Sequence, residues 1–346
     1  MRTIAILCGG GPAPGINTVV ATVTKVFLKD GFRVLAIHEG YKGLFAVHPE
    51  VEELTYEKAD QIYSRGGSAI KMSRFKPEDQ DFTTALFVKE GIELLVTIGK
   101  VIKAEASTTQ NWYLLMSMGR EAGHLAFEIG KGIHASMIII PEMFNKTQIT
   151  IDKIVRLIIS SMIKRRIVGQ KFGVVVVGEG IFHFLQDEDI ASSGITFDYD
   201  AHGHPELSEV SKAHVISKIL KNRLKELNLD IICRPVEVGY SLRCVDPSAF
   251  DLTYCTTLGI GVKKLYDEGH SGCMVAVNLE EEVIPVYLKD VEDEHGKIRT
   301  RLVNIDKEVV RQTLTENIYY LTAQDRSLAR KWLADPEPFE YERILG

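Results

Sequence analysis

The chain has 346 residues, of which 45% are apolar and 25% charged, and its formal net charge is −6. These values are ordinary for a soluble globular protein, and the mild acidity excludes a generally basic nucleic-acid-binding protein. No apolar run approaches the roughly 18 residues of a membrane span, and we expect no signal peptide. Five scattered cysteines without a C-x-x-C pair predict reduced thiols in a cytoplasmic protein, and no zinc site.

Predicted strands and helices alternate along the chain. Short apolar runs predict buried strands at residues 3–8, 94–98, 113–117, 137–140 and 174–177. Further strands are predicted at residues 33–37, 272–279 and 282–288. Apolar residues at helical spacing predict helices at residues 16–27, 121–131, 150–166, 208–227 and 248–268. Strands that are apolar on both faces and joined by helices predict a parallel sheet covered by helices, which is an α/β fold. The charged tail from about Pro336 is expected to pack loosely.

A glycine-proline loop at residues 9–15 separates the first predicted strand from the first helix. Glycines before a helix direct backbone N–H groups and the positive helix end at an anion, so the loop predicts a phosphate site rather than a simple tight turn. A dinucleotide fingerprint would place its third glycine where Pro14 stands, which disfavours an NAD-dependent dehydrogenase. Glu39, at the end of the second strand, keeps that alternative open on spacing alone.

Two further motifs combine glycine with arginine. Gly66-Gly67 is followed by Ser73-Arg74, a pattern that suits phosphate, although a solvated turn explains it equally well. Met118-Gly119-Arg120 follows a predicted parallel strand, and ligands bind at such strand ends in open α/β sheets. His124, just beyond, is interpreted as a core-facing histidine on the next helix.

Two later motifs offer a carboxylate and a phenol. Glu179 lies between glycines at a strand end, where it could bind sugar hydroxyls or cap a helix. The segment from Tyr240 to Arg243, with Arg234 before it, pairs arginine with a polar aromatic, although such a segment alone could be surface.

In this order the motifs resemble the phosphofructokinase family, and its pyrophosphate-dependent branch most. The resemblance runs from about residue 3 to about residue 290 and rests on residues 9–15, 40–44, Gly66-Gly67, Ser73-Arg74, 118–131, Pro141-Glu142, 178–180, 239–243 and Asp246-Pro247. It implies transfer of a phosphoryl group from pyrophosphate to the 1-hydroxyl of fructose 6-phosphate with Mg²⁺, in glycolysis. Two alternatives stay open: an ATP-dependent 6-phosphofructokinase, and a catalytically inactive fructose 6-phosphate-binding or regulatory subunit.

The resemblance also implies a role for each matching residue. Gly10, Gly11 and Arg74 would bind the donor phosphates. The acceptor pocket would comprise Met118, Gly119, Arg120, Glu179, Arg234, Tyr240 and Arg243. Arg120 would also stabilise the transferring group, which makes it the predicted catalytic residue. Arg234 resembles a family arginine that reaches the 6-phosphate across a subunit interface, so a homodimer or homotetramer is implied.

The chain departs from the family after Gly99. After the predicted strand at residues 94–98 the family continues with Gly-Gly-Asp and then Asp-Thr or Gly-Ser, whose aspartate serves magnesium. It later has Pro-Lys-Thr-Ile-Asp-Asn-Asp, whose first aspartate is the base for the sugar hydroxyl. Here residues 100–109 resemble the end of a family helix beyond both motifs, so a block of several dozen residues is predicted to be missing. The metal ligands stay unknown, the first sheet should lack a strand and its helix, and Asn111 replaces a usual phosphate-binding arginine.

The length predicts two domains, or one large α/β unit built in two halves. The resemblance implies two similar lobes of mostly parallel sheet covered by helices. We expect a donor-phosphate-binding lobe at residues 1–111, incomplete near residues 99–101, and a fructose 6-phosphate-binding lobe at residues 112–290. Residues 291–346 are expected to form helices and a tail that pack back on the first lobe.

Overall fold

The computed structural model describes residues 2–73, 89–119, 121–144, 147–186, 189, 211–239, 244–278, 280–292 and 301–346, with only the helical backbone for residues 89–95. Its strands are β1 (Thr3–Leu7), β2 (Arg33–Ile37), β3 (Val51–Glu53), β4 (Trp112–Ser117), β5 (Met137–Ile139), β6 (Gly173–Gly178), β7 (Cys233–Val238), β8 (Cys273–Val277) and β9 (Val283–Tyr287).

Twelve α-helices are defined in the part of the chain that the structure describes. They are α1 (Ile16–Lys29), α2 (Gly40–Leu44), α3 (Tyr56–Ile62), α4 (Lys89–Thr109), α5 (His124–Gly132), α6 (Ile151–Ile167), α7 (Lys212–Glu226), α8 (Ala249–Asp267), α9 (Leu288–Val291), α10 (Glu308–Glu316), α11 (Arg326–Ala329) and α12 (Tyr341–Leu345). Short 3₁₀ segments follow β5 and β6 directly, at Pro141–Phe144 and Glu179–Phe184.

The chain divides into two compact units, each built from two segments. The first unit contains Met1–Leu94 and Tyr240–Arg299, and the second contains Leu95–Gly239 and Thr300–Gly346. These segments differ from the expected ones, because residues 240–290 belong with the first unit and the C-terminal residues from 300 with the second.

The first unit has a three-stranded sheet in the order β1-β2-β3. β1 and β2 are parallel, whereas β3 runs antiparallel to β2. Helix α1 packs its apolar side into the core through Val20, Val23 and Phe27. Helix α8 lies close to α1, since a Cβ at Gly259 would stand 2.6 Å from the Thr22 Cβ. A separate hairpin, β8-β9, completes the described part of this unit.

Strand β1 is present as predicted but is not buried. Thr3 and Ala5 are exposed, and Ile4, Ile6 and Leu7 are only half-buried. Among the described residues of its sheet, β1 pairs with β2 alone. A parallel strand that the sequence marks as a core strand therefore lies at a partly open edge of the described sheet.

The second unit has a four-stranded, wholly parallel sheet in the order β5-β6-β4-β7. Every residue of β4 and β6 is buried, as expected for central parallel strands covered on both faces. Helices α5, α6 and α7 connect successive strands, which is the usual way to join parallel neighbours. β7 carries Pro235, a residue that an edge strand tolerates because its missing N–H faces away from the ladder.

The expected strand at residues 94–98 is wrong, because these residues belong to the long helix α4. A short apolar run fits a buried strand or a buried helical turn equally well, and the residues after it favour the helix. Glycines allow α4 to approach α5 closely. A Cβ at Gly99 would lie 2.8 Å from Ile133 Cγ2, and one at Gly132 would lie 2.7 Å from Val96 Cγ2.

The C-terminal tail packs tightly, so the expectation of loose packing is also wrong. Phe339 and Ile344 are 3% and 1% exposed. The Tyr341 N–H donates to the Leu321 carbonyl oxygen at 2.9 Å, and Arg326 Nη2 donates to Glu340 Oε2 at 2.9 Å. Two buried apolar side chains among the charges hold this segment in the second unit.

Candidate active-site residues in the two units

The carboxyl ends of β4, β6 and β7 meet at one edge of the second unit's sheet, because the three strands are parallel and in register. Gly119 follows β4 and Glu179 follows β6. The Gly119 N–H donates to Glu179 Oε1 at 3.0 Å. The structure therefore brings together two residues that the sequence predicted to share one acceptor pocket.

Close backbone packing shapes the loop after β4. A Cβ at Gly119 would lie 2.7 Å from the Ala122 carbonyl oxygen, so a larger residue would push the turn open. A Cβ at Gly239 would lie 3.1 Å from the Met118 Cβ, which places Met118 beside the end of β7. Glycine at both positions follows from this crowding.

Sequence reasoning missed Lys212. Its Nζ donates to Glu179 Oε2 at 3.2 Å, and the two side chains are 15% and 29% exposed. Lys212 is the first residue of α7, after the N-cap Ser211. The residue lay within a predicted helix, and only the fold brings the start of that helix to the end of β6.

Glu142 fixes the helix that follows the Met118–Gly119 loop. Its Oε1 accepts from the N–H groups of Gly123 and Val303, both at 2.9 Å. Gly123 is the N-cap of α5 and supplies no side chain of its own, so the carboxylate serves the start of the helix instead. His124 is half-buried, and its Nε2 lies 2.8 Å from the Arg301 carbonyl oxygen rather than in the core.

Arg234 is described, but it lies apart from Glu179 within this chain. It is the second residue of β7 and pairs with Tyr113, about 13 Å of strand length before the carboxyl end. Its side chain is exposed. Because residues three apart on a strand lie on opposite faces of the sheet, it lies on the face opposite to that of Glu237, which contacts α7. The position suits the predicted reach toward a second subunit, which stays a prediction.

In the first unit, the glycine loop is held against the segment ending at Ser73. The Gly10 N–H donates to the Ser73 carbonyl oxygen at 2.9 Å, and Gly10 has a φ of 91°, which favours glycine. Gly11 is exposed beside it. Helix α1 then starts after Gly15 without a side-chain cap. The Ile16 N–H donates to the Ala13 carbonyl oxygen at 3.5 Å, and the N–H groups that follow it in the first turn are candidate partners for an anion.

Asn17, a residue that sequence reasoning missed, ties the Arg65–Ala69 loop to the start of α1. Its Nδ2 donates to the carbonyl oxygens of Arg65 and Gly66 at 3.0 and 3.2 Å, and its Oδ1 accepts from the Ala69 N–H at 2.7 Å. Asp246 Oδ1 accepts from the Gly66 N–H at 2.8 Å. The loop with the second glycine pair is therefore built around α1.

Ser73 also anchors the segment after β2. Its Oγ donates to the Glu39 carbonyl oxygen at 2.6 Å, and the Lys42 N–H donates to the same Oγ at 3.4 Å. A Cβ at Gly40 would lie 2.3 Å from the Cys8 carbonyl oxygen, so the motif at residues 40–44 requires a glycine there. Burial raises the pKa of the Cys8 thiol, which disfavours a reactive thiolate beside the loop.

Four predicted site residues lie outside the described residues: Arg74, Arg120, Tyr240 and Arg243. Their neighbours Ser73, Gly119 and Gly239 are described, and each occupies the end of a well-packed segment. The roles of these three arginine side chains and of the tyrosine side chain stay predictions.

The described residues contain no preformed cluster of metal-binding side chains. Within them, no three histidine, cysteine, aspartate or glutamate side chains group closely enough to hold a metal ion. The carboxylates of Glu179, Glu142 and Asp246 are each engaged by backbone N–H groups.

Comparison with known proteins assigns the family. The profile described as Phosphofructokinase matches residues 3–101 and 100–266, so the chain belongs to the phosphofructokinase family. The two matches meet at residues 100–101, where the sequence predicts a missing block.

Two curated relatives carry the same name, pyrophosphate–fructose 6-phosphate 1-phosphotransferase. The protein from Thermotoga maritima is 29% identical over 398 residues, covering 96% of this chain and 93% of the relative. The protein from Naegleria fowleri is 30% identical over 374 residues, covering 88% and 85%. Both alignments are longer than this chain, so each relative has residues without a counterpart here.

A solved structure shows the same fold. The crystal structure of the pyrophosphate-dependent phosphofructokinase from Nitrosospira multiformis is 14% identical and has a TM-score of 0.64, covering 98% of this chain and 92% of that one. The α/β fold with parallel sheet covered by helices is therefore confirmed as phosphofructokinase-like.

Proposed function

We propose that the chain acts on fructose 6-phosphate as a pyrophosphate-dependent phosphotransferase. The product would be fructose 1,6-bisphosphate, and the donor would be pyrophosphate. The observation that carries this proposal is the match, along 88–96% of the chain, to two relatives named for that reaction. The contact of Glu179 with Gly119 supports it, because both predicted pocket residues meet at a strand end.

In the second unit, the proposed work is binding of the sugar phosphate. Glu179 would accept hydrogen bonds from sugar hydroxyls, since its oxygens keep lone pairs beyond those used by Gly119 and Lys212. Met118 and Gly119 would line the pocket, whereas the predicted roles of Tyr240 and Arg243 rest on the resemblance alone. Arg120 would neutralise charge on the transferring phosphoryl group, the role that contributes most to such reactions.

In the first unit, the proposed work is binding of the donor phosphates. Gly11 and the uncapped start of α1 offer N–H groups, whereas the Gly10 N–H is already used by Ser73. Gly10 would then allow close approach of the phosphate rather than donate to it. Arg74 follows Ser73 directly and would add positive charge.

Magnesium would shield the charges of the donor and of the transferring group if bound. The described side chains do not form a site for it, so the roles above are confined to binding and positioning. We propose the family's magnesium requirement for this chain without assigning ligands.

One observation favours a second candidate, a chain that binds fructose 6-phosphate but does not transfer phosphate. The family motifs that carry the magnesium aspartate and the general base both fall in the block that the sequence predicts to be missing after Gly99. Loss of a general base alone typically costs about 10²–10⁴-fold in rate. The acceptor pocket of the second unit lies outside that missing block.

We further propose a cytoplasmic homodimer or homotetramer. None of the helices among the described residues is long and apolar enough to cross a membrane. The exposed position of Arg234, distant along β7 from the pocket of its own chain, supports a role toward a second copy.

The test is an assay of the purified full chain with magnesium and fructose 6-phosphate, with pyrophosphate in one arm and ATP in the other. Formation of fructose 1,6-bisphosphate in the pyrophosphate arm alone is expected. Turnover with ATP alone would favour the ATP-dependent alternative. No turnover in either arm, with fructose 6-phosphate still bound, would favour the second candidate. Absence of fructose 6-phosphate binding would reject both the phosphotransferase and the second candidate.

A further inference from the structure

Lys212 contacts the one carboxylate in the predicted sugar-phosphate pocket. Its Nζ lies 3.2 Å from Glu179 Oε2, while Glu179 Oε1 accepts from the Gly119 N–H at 3.0 Å. The carboxylate therefore bridges the end of β4 and the start of α7. With 15% of the lysine side chain and 29% of the glutamate side chain exposed, this pair is partly shielded from water.

A lysine is electrostatically unfavourable at the first position of a helix. Lys212 is the first residue of α7, and the N-terminal end of a helix carries partial positive charge that disfavours a cation. The first turn of α7 contains no acidic residue to offset it. Residues that break a local rule commonly do so at functional sites, where a contact elsewhere compensates. Here that contact is Glu179.

The start of α7 is held in place by a second carboxylate. Glu237 Oε1, on β7, accepts from Ser211 Oγ at 2.8 Å and from the Ala213 N–H at 3.0 Å. Ser211 also caps the helix by accepting from the His214 N–H at 3.3 Å. The backbone of Lys212 is therefore pinned on both sides, which directs a long, flexible side chain to one partner.

We propose that Lys212 is a positioning residue of the fructose 6-phosphate pocket, an inference that rests on the proposed function. Lys212 holds the Glu179 carboxylate against Gly119, so that Glu179 presents its remaining lone pairs to the sugar. It also balances the charge of Glu179 in a pocket that must admit a phosphate ester dianion. An unpaired carboxylate there would repel the ligand.

The test is a calorimetric double-mutant cycle with fructose 6-phosphate as the probe. Lys212→Met is expected to raise the Kd by about tenfold or more, as for loss of a charge-assisted hydrogen bond. In the Glu179→Gln background the same change should alter the Kd by less than about twofold, because the two residues act through one contact. Lys212→Arg should recover much of the affinity. Lys218→Met, at an exposed lysine on the same helix, is the matched control and should leave the Kd unchanged.

A second readout needs no ligand. Amide hydrogen exchange at Gly119 should accelerate in Lys212→Met but not in Lys218→Met, because a released Glu179 no longer holds that N–H. If Lys212→Met fails to fold, Lys212→Gln carries both measurements.

An unchanged Kd in a folded Lys212 variant would overturn the inference, as would a full effect in the Glu179→Gln background. Unchanged exchange at Gly119 would also overturn it. Failure of the unmodified chain to bind fructose 6-phosphate would reject the proposed function, and the exchange measurement would still decide whether Lys212 holds Glu179.

Discussion

The sheets of the two units differ in how well their leading strands are covered. In the second unit, β4 and β6 are buried along their whole length. In the first unit, β1 has a similar apolar sequence, yet Thr3 and Ala5 are exposed. Since both strands read as core strands, the difference comes from their neighbours. Among the described residues, β1 pairs with β2 alone, whereas β4 has a parallel neighbour on each side.

The difference in burial between the two sheets can be tested most directly by placing a charge in a strand of each. Val175→Asp puts a carboxylate into a fully buried site in β6 and is expected to cost more than about 4 kcal/mol, enough to unfold most of the second unit. Ala5→Asp, at an exposed position of β1, should change stability by about 0.5 kcal/mol or less. Urea unfolding followed by circular dichroism measures both. Comparable losses at the two positions would mean that β1 is covered after all.

Removing the Glu142 carboxylate tests how the loop after β4 is held in the second unit. Glu142→Ala leaves the Gly123 and Val303 N–H groups without their acceptor, and we expect a loss of about 2–3 kcal/mol in the free energy of unfolding. Because Gly123 follows the Met118–Gly119 loop, affinity for fructose 6-phosphate should fall as well.

Chemical denaturation and calorimetry check this prediction, with Glu128→Ala on α5 as the control at an ion pair with an exposed partner. The control should change stability by less than about 1 kcal/mol. Equal effects of the two substitutions would show that Glu142 does not hold the loop.

The matching anchor in the first unit is Asn17. Asn17→Ala removes three hydrogen bonds to the Arg65–Ala69 loop and is expected to cost about 1–3 kcal/mol. We expect pyrophosphate affinity to fall, while fructose 6-phosphate affinity stays unchanged because Glu179 and Gly119 lie in the other unit. Separate calorimetric titrations test this separation. A parallel loss of both affinities would argue against independent donor and acceptor sites.

The smallest expected effect concerns acid stability of the C-terminal segment. Burial alone would raise the pKa of Asp325, but hydrogen bonds from Lys164 and Thr322 more than offset this and hold it below its ordinary value of 3.8. A carboxylate with a lowered pKa stabilises the fold above that value, and this contribution is lost as the pH falls below about 4.

Asp325→Asn should therefore lower the unfolding temperature by a few degrees at pH 7 and by a smaller amount at pH 2, because protonation of wild-type Asp325 removes its advantage as the pH falls. Thermal unfolding across that range is the measurement. An equal decrease at both pH values would contradict the assignment of the pH-dependent contribution to Asp325.

The sequence predicted most of the parallel core because its strands are short, apolar and bounded by glycines. It failed at residues 94–98, where four apolar residues and Thr97 fit a strand or a helix and the following residues favour α4. It also missed β7, whose Arg234, Pro235 and Glu237 are untypical of a strand. Edge position explains this composition, and edge position is a property of the fold.

The candidate site was predictable where a motif lies at a strand end, as for Gly119 and Glu179. It was not predictable where function depends on a contact between distant segments. Asn17 and Lys212 look like ordinary helical residues. They are revealed only by the packing of α1 against the Arg65–Ala69 loop and by the contact of the start of α7 with Glu179, which follows β6. Their partners lie 52 and 33 residues away along the chain.

The central claim is that the second unit keeps a working sugar-phosphate pocket although the chain lacks the family's catalytic block. Isothermal titration of fructose 6-phosphate into the unmodified chain and into Glu179→Gln tests it most directly. We expect saturable one-site binding by the unmodified chain and binding at least about tenfold weaker in Glu179→Gln. No binding by the folded unmodified chain, or equal affinity in both proteins, would contradict the claim.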